Sequence, residues 1–149
     1  MDDQRPAILL EEHFAEWKWA RGYVEDVSHA VALIATSQGD GCQIYNVAYP
    51  EAMTQSDWVR QIARVVGWKG EIVSRENDSL PHSLRNEDYD LSQQYAVDSS
   101  LIRKKLGYDE VVDFDEALAR TIEWERSNPP KEIAPGDFDY KKEDAALLD

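Results

Sequence analysis

The apolar positions of this chain change period along its length, and the changes predict short strands and amphipathic helices by turns. Trp17, Trp19 and Tyr23 alternate as a strand would place them, with Arg21 on the same face, so residues 17–24 read as extended. The period then lengthens. Val27, Ala30, Val31 and Ile34 stand at the spacing of one buried helical stripe, and Asp26 is placed to cap the free N–H groups at its start. Gln38-Gly39-Asp40-Gly41 supplies the turn that ends this helix.

Cys42 to Ala48 is apolar on both faces and predicts an interior strand. Thr54 and Asp57 follow at the spacing of an acidic capping box. Behind them Trp58, Ile62, Val65 and Val66 form a stripe that stops at Gly67. Glu71–Ser74 is a short strand candidate, residues 75–90 read as a long loop, and Gln94–Val97 as a weak strand. Asp98 is placed to cap a short helix closed by Gly107. Asp113 and Glu116 open another along Phe114, Leu118 and Ile122, which Asn128-Pro129-Pro130 stops. Residues 1–14 show no clear period beyond the patch Ile8-Leu9-Leu10. The alternation of strands and helices gives an α/β or α+β class. One unit over residues 1–130 is expected, followed by an acidic, mobile tail over 131–149.

Charge removes several partners. The chain carries 30 Asp and Glu against 16 Lys and Arg, a formal charge of −14. A nucleic-acid binder needs a basic face to displace counterions, and the densest basic run, Arg103-Lys104-Lys105, is confined to one helix end. Anionic membrane surfaces are disfavoured by the same argument. No apolar run reaches membrane-spanning length, and the first residues lack the order of a signal peptide, so a cytoplasmic protein is expected. Small-molecule and protein partners remain.

Chemistry narrows further. His13, His29 and His82 have no ligand spacing, so no metal site is expected. Cys42, the single cysteine, opens an apolar stretch and reads as an inert core thiol. Gly39-Asp40-Gly41 and the Gly67/Gly70 pair lack the third glycine of a dinucleotide cradle, and no Gly-x-x-x-x-Gly-Lys is present. Trp17 and Trp19 suit either a stacking surface for a sugar or base, or packing on another domain. Arg21 and Arg85 are the best candidates for an anion, because a guanidinium fork matches phosphate or carboxylate; surface ion pairs are the bland alternative.

Three stretches together resemble a known family. Tyr23-Val24-Glu25-Asp26-Val27 with Ala30 is similar to the "YV-x-D-V-x-x-A" segment of the extended short-chain dehydrogenase/reductases, the NAD-dependent epimerase/dehydratase family. Tyr45-Asn46-Val47 resembles its "YN-[VL]-G" strand. Asp98-Ser99-Ser100 with Leu106-Gly107-Tyr108 resembles its C-terminal "D-x-S-K-x-x-x-x-LG-[YW]" helix. The resemblance implies the C-terminal, substrate-binding portion of a Rossmann-type enzyme, without the dinucleotide-binding half. It implies NAD or NADP for the complete enzyme and none in this chain. A "YxxxK" catalytic pair is missing: no tyrosine is followed four residues on by lysine. No catalytic residue is therefore assigned, and the chain is expected not to turn over alone.

Two positions depart from the family. Trp19 occupies the place of a substrate-phosphate arginine, with Arg21 two residues on. Arg85 lies farther before Asp98 than the family's second arginine. Trp19, Arg21 and Arg85 are accordingly the expected substrate-binding residues. The resemblance implies a small-molecule, nucleotide-sugar ligand, a Rossmann half as partner and a homo-oligomer. A stand-alone binding or oligomerisation module derived from the family is the alternative.

Overall fold

A computed structural model describes residues 1–39, 41–87, 89–133 and 138–148. The first strand, β1 (Ala7–Glu11), comes from the stretch without a period. It pairs in parallel with β4 (Glu71–Arg75), Leu9 lying opposite Val73. A parallel partner requires a long crossover, and here the crossover is everything between the two strands. Glu11 is buried at the end of β1, and its carboxylate is satisfied by capping α1 (Glu12–Glu16): it accepts from the backbone N–H of His13 at 3.1 Å and of Phe14 at 2.7 Å.

The segment read as a strand over 17–24 keeps its extended course but little of its ladder. Only β2 (Lys18–Trp19) pairs regularly, antiparallel to β3 (Met53–Thr54). Beyond it the backbone bonds singly. Ala20 donates to the Tyr95 carbonyl at 2.7 Å, and Arg21 accepts from Tyr49 at 2.8 Å. Tyr95 contributes one isolated bridge to Trp19 in place of the strand expected at 94–97. These irregular bonds anchor the aromatic segment from both sides.

Helix α2 spans Val24–Thr36 and ends at Ser37, before the glycine turn, of which Asp40 lies outside the described residues. Asp26 does not cap it. The N-cap is Tyr23, and Asp26 is turned inward and 1% exposed. Its Oδ1 accepts from the consecutive backbone N–H groups of Val111 and Val112, which no regular element would otherwise satisfy. On the stripe, Ala30 is buried with Ile102 and Tyr108, whereas Val31 is exposed.

Residues 42–48 are the clearest correction. They form no strand, Ile44 is 82% exposed and Cys42 lies at the surface. Tyr45 and Val47 pack on the core and Ala48 is buried, but among the described residues no neighbouring strand offers the segment a ladder. The segment is held instead by α4 (Ser100–Leu106), through Arg103 Nη2 on the Ala48 carbonyl at 3.0 Å and Lys105 Nζ on Gln43 at 3.0 Å.

The locally coded helices follow their signals. Thr54 Oγ1 accepts from the N–H of Asp57 at 3.0 Å to start α3 (Gln55–Val66), and Gly67 stops it with φ 71°. Asp98 accepts from the N–H of Ser100 at 2.8 Å beside the N-cap Ser99, and Asp113 caps α5 (Phe114–Ser127). The region of the expected tail contains α6 (Tyr140–Leu148); residues 134–137 and 149 lie outside the described residues. Ala146 of α6 is buried with Leu9 and Leu80, and Arg5 joins the helix to the N-terminal segment through Asp144 at 2.6 Å and the Tyr140 ring at 4.5 Å. Among the described residues no helix is long and apolar enough to cross a membrane.

Candidate functional site

The short sheet β2–β3 sets the site. β3 runs straight into α3, so the first turns of that helix face the 17–24 segment. Trp58 on α3 thereby lies under Arg21, whose guanidinium stands 4.5 Å from the Trp58 ring centroid and 5.1 Å from that of Trp19. A delocalised, weakly hydrated cation suits such a place between two indole faces. Its hydrogen bonds go to neutral acceptors: Nη2 donates to Gln55 Oε1 at 2.8 Å and Nη1 to the Trp19 carbonyl at 3.3 Å. Burial lowers the Arg21 pKa from its ordinary value.

Beside this stack opens a cavity of about 830 Å³, walled by Trp19, Tyr49, Trp58, Phe114 and Trp124, with Arg21 in its wall. The aromatic wall is itself braced: Phe114 meets Tyr49 edge-on at 5.3 Å and Trp58 at 6.1 Å. Trp17 stands behind Trp19, their ring centroids 5.9 Å apart and the planes tilted by 43°. A second arginine, Arg120, lines the cavity already paired with Glu25 at 3.0 Å and Glu116 at 2.6 Å. Burial, with the Asp26 and Glu110 carboxylates near, pushes the Tyr49 phenol up to about 12. The arrangement offers flat apolar faces and one cation that no carboxylate among the described residues pairs. That is equipment for holding a ligand with a planar or sugar part and an anionic group.

The structure brings Trp19 and Arg21 together and leaves Arg85 elsewhere. Arg85 donates to the carbonyls of Leu80 at 2.8 Å and Asp78 at 3.0 Å, clipping the two 3-10 turns at Asn77–Ser79 and His82–Leu84. Trp58, Phe114 and Gln55 were not expected at the site. The two aromatics read as helix stripe residues, and Gln55 has no signal in the sequence. Glu11, Glu12 and His13 bring ligand-type atoms within 4.8 Å of one another, but the Glu11 oxygens are occupied by the cap of α1.

No protein-family profile matches the chain. It is 27% identical over 128 residues to a dTDP-glucose 4,6-dehydratase from Streptomyces niveus, covering 86% of this chain and 34% of that protein. It is 29% identical over 106 residues to a dTDP-glucose 4,6-dehydratase from Streptomyces antibioticus, covering 71% and 29% respectively. Among solved structures it is similar to MoeE5 in complex with UDP-glucuronic acid and NAD, with a TM-score of 0.57, 20% identity, and coverage of 81% of this chain and 37% of that one. The UDP-N-acetylglucosamine 4-epimerase from Methanobrevibacter ruminantium M1 in complex with UDP-N-acetylmuramic acid matches with a TM-score of 0.58, 23% identity, and coverage of 85% and 36%. The likeness to the C-terminal portion of the extended short-chain dehydrogenase/reductases holds in sequence and in fold.

The chain spans about a third of the length of the curated relatives it matches, 34% and 29%. Within this portion of the fold, Gly67, Gly70 and Gly107 do not fit a dinucleotide cradle. Gly67 and Gly107 are left-handed helix stops, and Gly70 is packed against Trp68 and the Pro6 carbonyl.

Proposed function

We propose that the chain is the substrate-binding portion of an NAD(P)-dependent nucleotide-sugar epimerase or dehydratase, and that it does not turn over alone. The observation that carries the reading is the aromatic cavity with Arg21 stacked between Trp19 and Trp58. Indole faces suit a nucleobase or the C–H face of a sugar, and the guanidinium suits a phosphate or carboxylate. Two fold neighbours were solved with UDP-sugars, and two sequence relatives are named for a dTDP-sugar, which supports the ligand class. In this reading Trp19 and Trp58 stack, Arg21 takes the anionic group, and Arg85 acts through the loop it clips. A complementary dinucleotide-binding portion supplies NAD or NADP and the proton-transfer groups, in a cytoplasmic homo-oligomer.

Tryptophan fluorescence of the 149-residue chain tests it, because Trp19, Trp58 and Trp124 all line the cavity. Titration with UDP-glucuronic acid and with dTDP-glucose should give a saturable change for at least one, weakened by about tenfold or more in R21Q through loss of a charged hydrogen bond. No saturation with either at millimolar ligand overturns the reading.

A further inference from the structure

Acid outnumbers base almost two to one in this chain, 30 to 16, and its arginines show it. Arg5, Arg60, Arg64, Arg103, Arg120 and Arg126 each stand within 4.0 Å of a carboxylate. Arg75 and Arg85 donate to backbone carbonyls. Of the two guanidiniums that line the aromatic cavity, Arg120 is answered by both Glu25 and Glu116, and Arg21 by no carboxylate among the described residues. The side chain that meets Arg21 instead is Gln55.

Gln55 is the first residue of α3, 6% exposed, and its backbone N–H is tied to the Trp17 carbonyl at 3.0 Å. Its position is therefore fixed by the residue just before β2 as well as by its own helix. The amide Oε1 takes the Arg21 Nη2 donor at 2.8 Å, and Nε2 is a buried donor without a partner among the described residues. Glutamate has the same length and shape and would make the same contact. It would also cancel the positive charge in a half-buried site where ion pairing is strong, and it would replace the spare donor by an acceptor. An amide here does what a carboxylate cannot: it orients the guanidinium and leaves its charge unspent.

We propose that Gln55 sets the charge selectivity of the cavity, as a neutral positioning residue that fixes Arg21 between the two indoles while reserving its charge for an oxyanion of the ligand. The inference rests on the reading of this cavity as the substrate site. The oxyanion is a phosphoryl or a carboxylate group, and the guanidinium fork accepts both.

The test compares wild type, Q55E and Q55M by tryptophan fluorescence, with inorganic pyrophosphate, D-glucuronate and UDP-glucuronic acid as separate probes. Wild type should respond saturably to pyrophosphate or to glucuronate, and whichever acts identifies the oxyanion. Q55E should lose at least about tenfold in affinity for that anion, the worth of one charged hydrogen bond, while Q55M should lose much less because Arg21 keeps its charge. A purely structural role would move both variants alike. Should Q55E not fold, M53E serves in its place, since Met53 lines the small recess beside Arg21. Equal affinity of wild type and the carboxylate variant overturns the inference, as does a Q55M loss as large as that of Q55E, or no response of wild type to either anion. If the small anions bind as expected but UDP-glucuronic acid and dTDP-glucose do not, the inference stands and the nucleotide-sugar reading falls.

Discussion

Asp26 and Val112 are 86 positions apart in the chain and share a hydrogen bond of 3.1 Å, the carboxylate Oδ1 accepting from a buried backbone N–H. The same oxygen accepts from Val111 at 2.8 Å, so one side chain on α2 fixes the linker between α4 and α5.

Removing it should therefore cost more than a surface cap would. D26A leaves two backbone donors unpaired, one of them buried, and is expected to destabilise by about 2–4 kcal/mol. D26N keeps an oxygen in place and should cost about 1 kcal/mol. Urea unfolding of the two variants checks the order, and a D26A loss under 1 kcal/mol would contradict the role given to Asp26.

Acid sensitivity should concentrate at Arg103 and Glu110. The guanidinium forks onto the carboxylate, Nη1 to Oε2 at 3.0 Å and Nη2 to Oε1 at 2.5 Å, with both side chains largely covered. The hydrogen bond from Arg103 holds the Glu110 pKa below its ordinary 4.5. A carboxyl group with a lowered folded pKa contributes its full stability above the unfolded value and loses it as pH falls through the folded one. Stability should thus decline below about pH 4.5, and E110Q should flatten that decline. Thermal unfolding of both proteins across pH 3–6 measures it.

Cys42 offers a direct check on the course of residues 42–48. Its side chain is exposed, so an aromatic disulfide reagent should modify it in the native protein nearly as fast as in denaturant. Protection of the thiol until unfolding would restore the interior strand that the apolar run suggests.

Gly70 should not tolerate a methyl group. An added Cβ would run into the Trp68 ring and the Pro6 carbonyl, and the second of these is backbone. Trp68 is itself held by Nε1 on the Arg5 carbonyl at 2.8 Å, so neither neighbour yields cheaply. G70A is expected to lose about 1–3 kcal/mol, as overpacked sites do, read as a lower urea midpoint at unchanged slope.

The elements legible in the sequence are those coded by near neighbours. Thr54 with Asp57, Asp113 with Glu116, and the glycines at 67 and 107 bound their helices within a few residues, and the structure keeps each boundary. β1 was illegible because its partner, β4, is reached through a long crossover, and five residues are too few to show a period. Residues 42–48 misled because an apolar run reports burial on average, whereas strand formation needs a free neighbouring edge, and helix α4 stands there instead. At the site, Arg21 and Trp19 were visible through their spacing on one segment. Trp58 and Gln55 were not, because only the junction of β3 with α3 brings them across.

The close, oblique approach of Trp17 and Trp19 has an optical consequence. Two indoles 5.9 Å apart and inclined by 43° share their excited states, and the chirality of the pair imprints a couplet on the far-ultraviolet circular dichroism. The helical content of this protein cannot be taken from ellipticity alone, because part of that signal comes from the tryptophans. The same couplet is a local gauge: it vanishes when the aromatic segment loses its course, even while every helix stays wound.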